Sequence, residues 1–137
     1  MTTLREWAAL SLLASIVAVS PAVAELQPQT SNGVTYVSGG VGTDEAAEMR
    51  SLRAQYPLHL LFAETGRGAY LAAVAVTIAD GRGRTVLDAI SDGPLFYAKL
   101  PAGTYRLIVV SDGRPMTRSV TVPQSGSVEE RFYWPPK

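Results

Sequence analysis

Hydrophobic and polar positions fall into three successive regimes along the chain. Trp7 to Val19 is an apolar run broken only by Ser11 and Ser15. Residues 25–33 are polar, with Pro28, Asn32 and Gly33, and read as a loose lead-in, after which Val34 to Ser38 has the apolar alternation of a short strand. Gly39-Gly40-Val41-Gly42 interrupts it. Beyond that break the period changes: Ala46, Met49, Leu52 and Tyr56 recur at helical spacing and Pro57 ends the run, which predicts one amphipathic helix from Thr43 to about Gln55. Thr43 stands where an N-cap is expected. Asp44 and Glu45 in the first turn and Arg50 and Arg53 near the end complement the helix dipole. The Met49 and Leu52 side of this helix needs a surface to cover.

From Leu58 the period shortens to two. Leu58 to Glu64, Tyr70 to Ala79, Arg84 to Ile90, Leu95 to Leu100, Thr104 to Ser111, Thr117 to Val122 and Val128 to Trp134 each read as strands. They are separated by glycine, proline and aspartate turn signals such as Asp80-Gly81, Asp92-Gly93-Pro94, Pro101-Ala102-Gly103 and Asp112-Gly113. Many short strands at this spacing predict a mainly β fold, a sandwich of antiparallel strands, with the helix as its one departure. Alternation also assigns faces: Val74, Val76 and Ile78 on one side of their strand, and Phe96, Ala98 and Leu100 opposite Tyr97 and Lys99. In the last strand Val128, Phe132 and Trp134 oppose Glu129, Arg131 and Tyr133. Tyr97 and Tyr133 are therefore expected on the outside, as candidate binding residues.

The first apolar run is too short for the roughly 20 residues of a spanning helix. Preceded by Arg5 and followed by Pro21 and Ala22-Val23-Ala24, it reads as a signal peptide over residues 1–24, with cleavage before Glu25. The expected organisation is signal peptide 1–24, lead-in 25–33 and one domain over 34–137, in a periplasmic or secreted protein with no stable membrane insertion after cleavage. Charge adds an exclusion. The chain holds 12 basic and 12 acidic residues, and the predicted cleavage removes one of each, Arg5 and Glu6. A neutral surface with scattered arginines has no field to steer nucleic acid. With no cysteine, the fold holds together without disulfides.

The segment around Ser91-Asp92-Gly93 and Leu100-Pro101-Ala102-Gly103-Thr104-Tyr105 resembles the carboxypeptidase regulatory-like domain, a transthyretin-like (prealbumin-like) antiparallel β-sandwich of about seven strands. Gly39 to Glu45, Leu60 to Ala63, Gly68 to Ala72 and the terminal Phe132-Tyr133-Trp134 are similar to small exported Gram-negative proteins carrying that domain. The resemblance spans about residues 36–134. In this turn proline presets the first angle, Gly103 is expected to take a positive φ, and Tyr105 is expected to point into the core.

Candidate chemistry is sparse. His59 is the one histidine, so neither a zinc cage nor a Ser-His-Asp constellation can be assembled in the usual way, and no metal or cofactor is expected. His59 itself, in an apolar strand after Pro57, reads as structural. The transthyretin-related hydroxyisourate hydrolases use several histidines and a Tyr-Arg-Gly-Ser tail, whereas this chain ends Tyr133-Trp134-Pro135-Pro136-Lys137. A phosphate loop at Gly39 to Gly42 lacks a nearby lysine and has Asp44 and Glu45 at the helix start. Asp44, Glu45 and Glu48 lack the spacing of a calcium loop and read as solvated. An isopeptide cross-link is also disfavoured, since Lys99 falls on the outer face and Asn32 in the lead-in. The expected function is a non-catalytic binding or protein-interaction module of the envelope, not an enzyme, with an envelope protein as its partner. The alternative is a module that binds a small cell-wall ligand, a glycan or peptide, through its exposed tyrosines.

Overall fold

The structure is a computed structural model that describes residue 15 and residues 26–137. The signal-peptide reading, with its cleavage site, lies outside the described residues. Nine strands form two sheets. β1 (Gln29–Ser31), β2 (Val34–Gly39), β6 (Leu95–Ala98), β3 (Leu58–Glu64) and β9 (Val128–Trp134) make a five-stranded sheet in the order β1-β2-β6-β3-β9. β5 (Thr85–Ser91), β4 (Val74–Ala79), β7 (Gly103–Ser111) and β8 (Arg114–Val122) make a four-stranded sheet in the order β5-β4-β7-β8. All pairs are antiparallel except β3 with β9. The expectation of a mainly β, two-sheet architecture therefore holds, with nine strands instead of about seven and one parallel pair.

The core lies between the sheets. Leu58, Leu60 and Phe62 of β3, Val74, Val76 and Ile78 of β4, Leu107 and Val109 of β7, and Phe132 and Trp134 of β9 are all buried in one cluster. Phe62, Phe132 and Trp134 form a tilted aromatic triad with ring centroids about 6 Å apart, a geometry aromatic pairs prefer. Tyr105 reaches into this core as expected. Its hydroxyl donates to the carbonyl of Pro101 at 2.7 Å, so the buried phenol keeps a partner and pins the turn to the start of β7. Gly103 has φ 158°, positive but next to extended backbone, opening the strand and not a left-handed turn.

The seams between the sheets are closed by polar contacts. On one side the Ser31 hydroxyl donates to the Asp88 carbonyl and accepts from the Asp88 amide, both at 3.1 Å, which ties β1 to edge strand β5. On the other, the Arg118 guanidinium of β8 bonds Glu130 Oε2 at 3.0 Å and the Arg131 carbonyl at 2.7 Å, while it lies over the Phe132 ring. Trp134 Nε1 donates to the Arg114 carbonyl at 3.0 Å.

Four expectations are corrected, three of them in the N-terminal part. The lead-in is built into the fold: Asn32 (φ 48°) and Gly33 (φ 82°) make the two-residue turn of a β1–β2 hairpin, the left-handed pair that matches strand twist. Leu26 is also held, its amide donating to Glu48 Oε1 at 3.0 Å. The helix α1 (Thr43–Leu52) continues into a 3₁₀ turn over Arg53–Gln55, but its N-cap is Gly42, not Thr43, with no side-chain cap. Glu45 turns back from the first turn to accept the Gly40 amide at 2.9 Å, so it is not merely solvated. The strand expected from Tyr70 begins only at Val74, after Ala73 at φ 57°.

The helix lies on the outer face of the five-stranded sheet. Met49 and Tyr56 pack against Val37 and Tyr97, with Leu26, Leu52 and Leu95 around them, as a second, smaller apolar cluster.

Candidate functional site

Register sets out the outer face of the larger sheet as rows of side chains. Val37 pairs with Tyr97, Tyr97 with His59, and His59 with Glu129, which makes a first row across β2, β6, β3 and β9. Gly39, Leu95, Leu61 and Arg131 make the second. Ala63 and Tyr133 make the third, with Tyr70 bridged to Ala63. Helix α1 covers the start of the first row. It also reaches Gly39 and Leu95 in the second, and over the rest of the second row and the third a cavity of about 460 Å³ runs along the sheet. Its floor is Leu61, Ala63 and Leu95, one wall carries Arg50 and Arg53 from the helical segment, and the other carries Glu129, Arg131 and Tyr133 from β9. Tyr70 and Pro94 close the far end.

The wall is polar and internally bonded. Glu129 Oε2 accepts from Arg53 Nη2 at 3.2 Å and from Arg131 Nη2 at 3.5 Å. Burial pushes the Glu129 carboxyl up, but the hydrogen bond and charge of Arg53, joined by Arg131, outweigh it and hold the carboxyl below its ordinary range. Arg50 makes one bond, Nε to the Ala46 carbonyl at 3.2 Å. Two guanidiniums thus share one carboxylate, with that of Arg50 as a third on the lining.

Beneath this wall lie two buried polar groups without partners. His59 is 2% exposed, and its Nε2 lies 2.8 Å from the Arg53 carbonyl. A carbonyl only accepts, so Nε2 carries the proton and Nδ1 is left as a bare acceptor with no partner among the described residues. Tyr97 packs on the imidazole with ring centroids 4.7 Å apart, and its hydroxyl has no partner among the described residues either. Burial pushes the Tyr97 phenol up from its ordinary value.

Both tyrosines singled out from alternation line this cavity. Tyr133 is exposed at 44%, as expected. Tyr97 is not: it is 1% exposed, so the outside position assigned to it is corrected. Alternation placed it on the right face of β6, away from Phe96 and Ala98, but that face is covered by Met49 and Tyr56 of the helical layer. His59 is packed, as expected of it, held by a backbone carbonyl and an aromatic ring. Arg50, Arg53, Arg131 and Tyr70 escaped the sequence reading as site residues. The outward set Glu129, Arg131 and Tyr133 was visible, but its pairing with Leu61 and Ala63 is a parallel contact between strands far apart in the chain, which local periodicity does not carry.

Among the described residues no group of three or more histidine, cysteine or carboxylate side chains is placed to hold a metal ion. No helix among them is long and apolar enough to cross a membrane. Compared with known proteins, the chain matches no family model and no curated protein sequence.

Proposed function

We propose that this chain is a non-catalytic binding module of the cell envelope, exported by the signal peptide over residues 1–24, whose sandwich is of the transthyretin-like, carboxypeptidase regulatory-like type. It takes a small ligand in the groove on the outer face of β3 and β9. The observation that supports this reading is the groove itself: about 460 Å³, with an apolar floor, three tyrosines on its lining and convergent charged groups on its walls. A concave volume of that order is typical of a small-molecule site. Of the two binding roles raised by the sequence, the small-ligand role is therefore preferred over protein docking.

Amide chemical-shift mapping with a panel of neutral sugars, carboxylic acids and amines tests it. Shifts confined to Leu61, Ala63, Arg131, Tyr133 and their neighbours are expected for at least one class. Shifts clustering on the exposed edge of β8 overturn the site, and a panel that moves no resonance overturns the small-ligand role.

A further inference from the structure

We propose that the groove recognises a carboxylate on a small ligand with an apolar or ring-shaped body, an inference that rests on the groove being a ligand site. The charge count leads there. Arg50, Arg53 and Arg131 line the cavity, and Glu129 is the one carboxylate lining it. Arg53 and Arg131 each commit one terminal nitrogen to the same oxygen, Glu129 Oε2, and Arg50 commits only its Nε, to a backbone carbonyl. Each guanidinium offers five N–H donors, so most of the fork positions on this wall have no protein acceptor among the described residues. A neutral ligand leaves that excess positive charge unanswered.

A second observation points the same way. The Tyr97 hydroxyl belongs to a residue that is 1% exposed, lies on the cavity lining, and has no partner among the described residues. The imidazole packed on it is held by the Arg53 carbonyl, so the same segment that presents the arginine also fixes the ring beside this hydroxyl. Open donors on the wall and this unpartnered hydroxyl beneath it call for an acceptor-only group, and an ionised carboxylate is one.

Carboxylate fits better than phosphate because Glu129 stands between two of the guanidiniums. A planar, singly charged group can bond Arg50 and the free forks of Arg131 side by side with Glu129, whereas a phosphate dianion brings two charges against it. The apolar floor of Leu61, Ala63 and Leu95 is shared with Tyr133 and Tyr70, which are 44% and 69% exposed and offer aromatic surface to the body of the ligand.

The test is a titration of the purified protein with five probes: N-acetyl-trialanine with a free carboxylate, the same tripeptide as its amide, galacturonic acid, galactose and inorganic phosphate. The two acids are expected to bind about tenfold or more tightly than their neutral counterparts. Their relative affinities decide between a peptide terminus and a uronate sugar as the source of the carboxylate. Arg50→Gln and Arg131→Gln are each expected to weaken the acids severalfold, and Arg82→Gln, in the turn between β4 and β5, to leave them unchanged. Equal binding of acid and amide overturns the proposal, as does phosphate binding more tightly than either acid. So does a loss on Arg82→Gln equal to that on Arg50→Gln, which reports bulk charge. If the neutral probes move the groove resonances and the acids do not, the carboxylate inference falls while the groove remains a ligand site; if no probe moves them, both fall.

Discussion

The two faces of the five-stranded sheet are made by the same strands and differ in how completely they are closed. On the inner face Leu58, Leu60, Phe62, Phe96, Phe132 and Trp134 meet the second sheet, and the polar tips that enter this core are bonded, Tyr105 and Trp134 to backbone carbonyls and Tyr36 to Gln29 Oε1. On the outer face a ten-residue helix covers Val37 and Tyr97, then stops. Beneath its edge the Tyr97 hydroxyl and His59 Nδ1 stay buried and unbonded among the described residues. Buried polar atoms are satisfied nearly everywhere in folded proteins, and each exception asks for a reason. Of the three exceptions among the described residues, Arg114 Nε lies on β8 and the other two lie under the arginine wall of the groove, so the incompletely closed face keeps most of the unspent polar chemistry.

The largest test of that difference separates the two tyrosines that alternation treated alike. Tyr97 is packed by Met49, Tyr56 and His59, so Tyr97→Ala should cost about 3–5 kcal/mol, the range for truncating a buried aromatic. Tyr133→Ala, on the open row, should stay within about 0.5 kcal/mol of wild type. Denaturant midpoints decide it. A mild Tyr97→Ala would mean that the helix does not close its part of the face.

A second test acts where the helical layer leaves the sheet. A Cβ built on Gly93 would press into the backbone of Gly39, inside van der Waals contact with its carbonyl, and backbone cannot swing aside as a long side chain can. Gly39 ends β2 and leads into the segment that carries α1. Gly93→Ala should therefore destabilise by about 1–3 kcal/mol, the usual range for overpacking. Hydrogen exchange sharpens the point: amides of α1 should lose protection before those of β4 and β7. Uniform loss across both sheets would show that the outer layer is not a separate cooperative unit.

How much of this was legible depends on whether the signal was local. The bounds of β3 and β9 follow from alternation and from Pro57 and Gly126 nearby, and both strands run as read, Leu58–Glu64 and Val128–Trp134. The β1–β2 hairpin carried a local signal that went unused, Asn32-Gly33, because the flanking segments are short and polar. Ala73 in the left-handed region cut short the strand expected from Tyr70, a conformation that alanine does not announce in sequence. The groove was legible in pieces only. Tyr133 and Arg131 were on the outward side of β9, but Arg50 and Arg53 read as dipole complements of the helix, and only tertiary packing brings them to Glu129. Tyr97 shows the same limit from the other direction, since period two gives a face and not what covers it.

The smallest expected effect isolates the hydroxyl on that covered face. Tyr97→Phe keeps the ring against His59 and Tyr56 and removes a buried donor that has no partner among the described residues, so near neutral pH it should be neutral or stabilising by up to about 1 kcal/mol. Alkali gives the variant a direction as well as a size. Burial raises the Tyr97 phenol above its ordinary value, so the folded protein holds this proton where the unfolded chain releases it. That contribution is complete below the unfolded value of about 10 and is lost as pH rises through the raised folded value. Tyr56 and Tyr105 are also raised by burial, so the wild type should lose stability above about pH 10 through all three phenols. Tyr97→Phe should lose measurably less above about pH 10 in denaturant midpoints at fixed ionic strength. A variant whose alkaline slope matches the wild type would place the Tyr97 hydroxyl in contact with water, and the outer face would then be no less satisfied than the inner one.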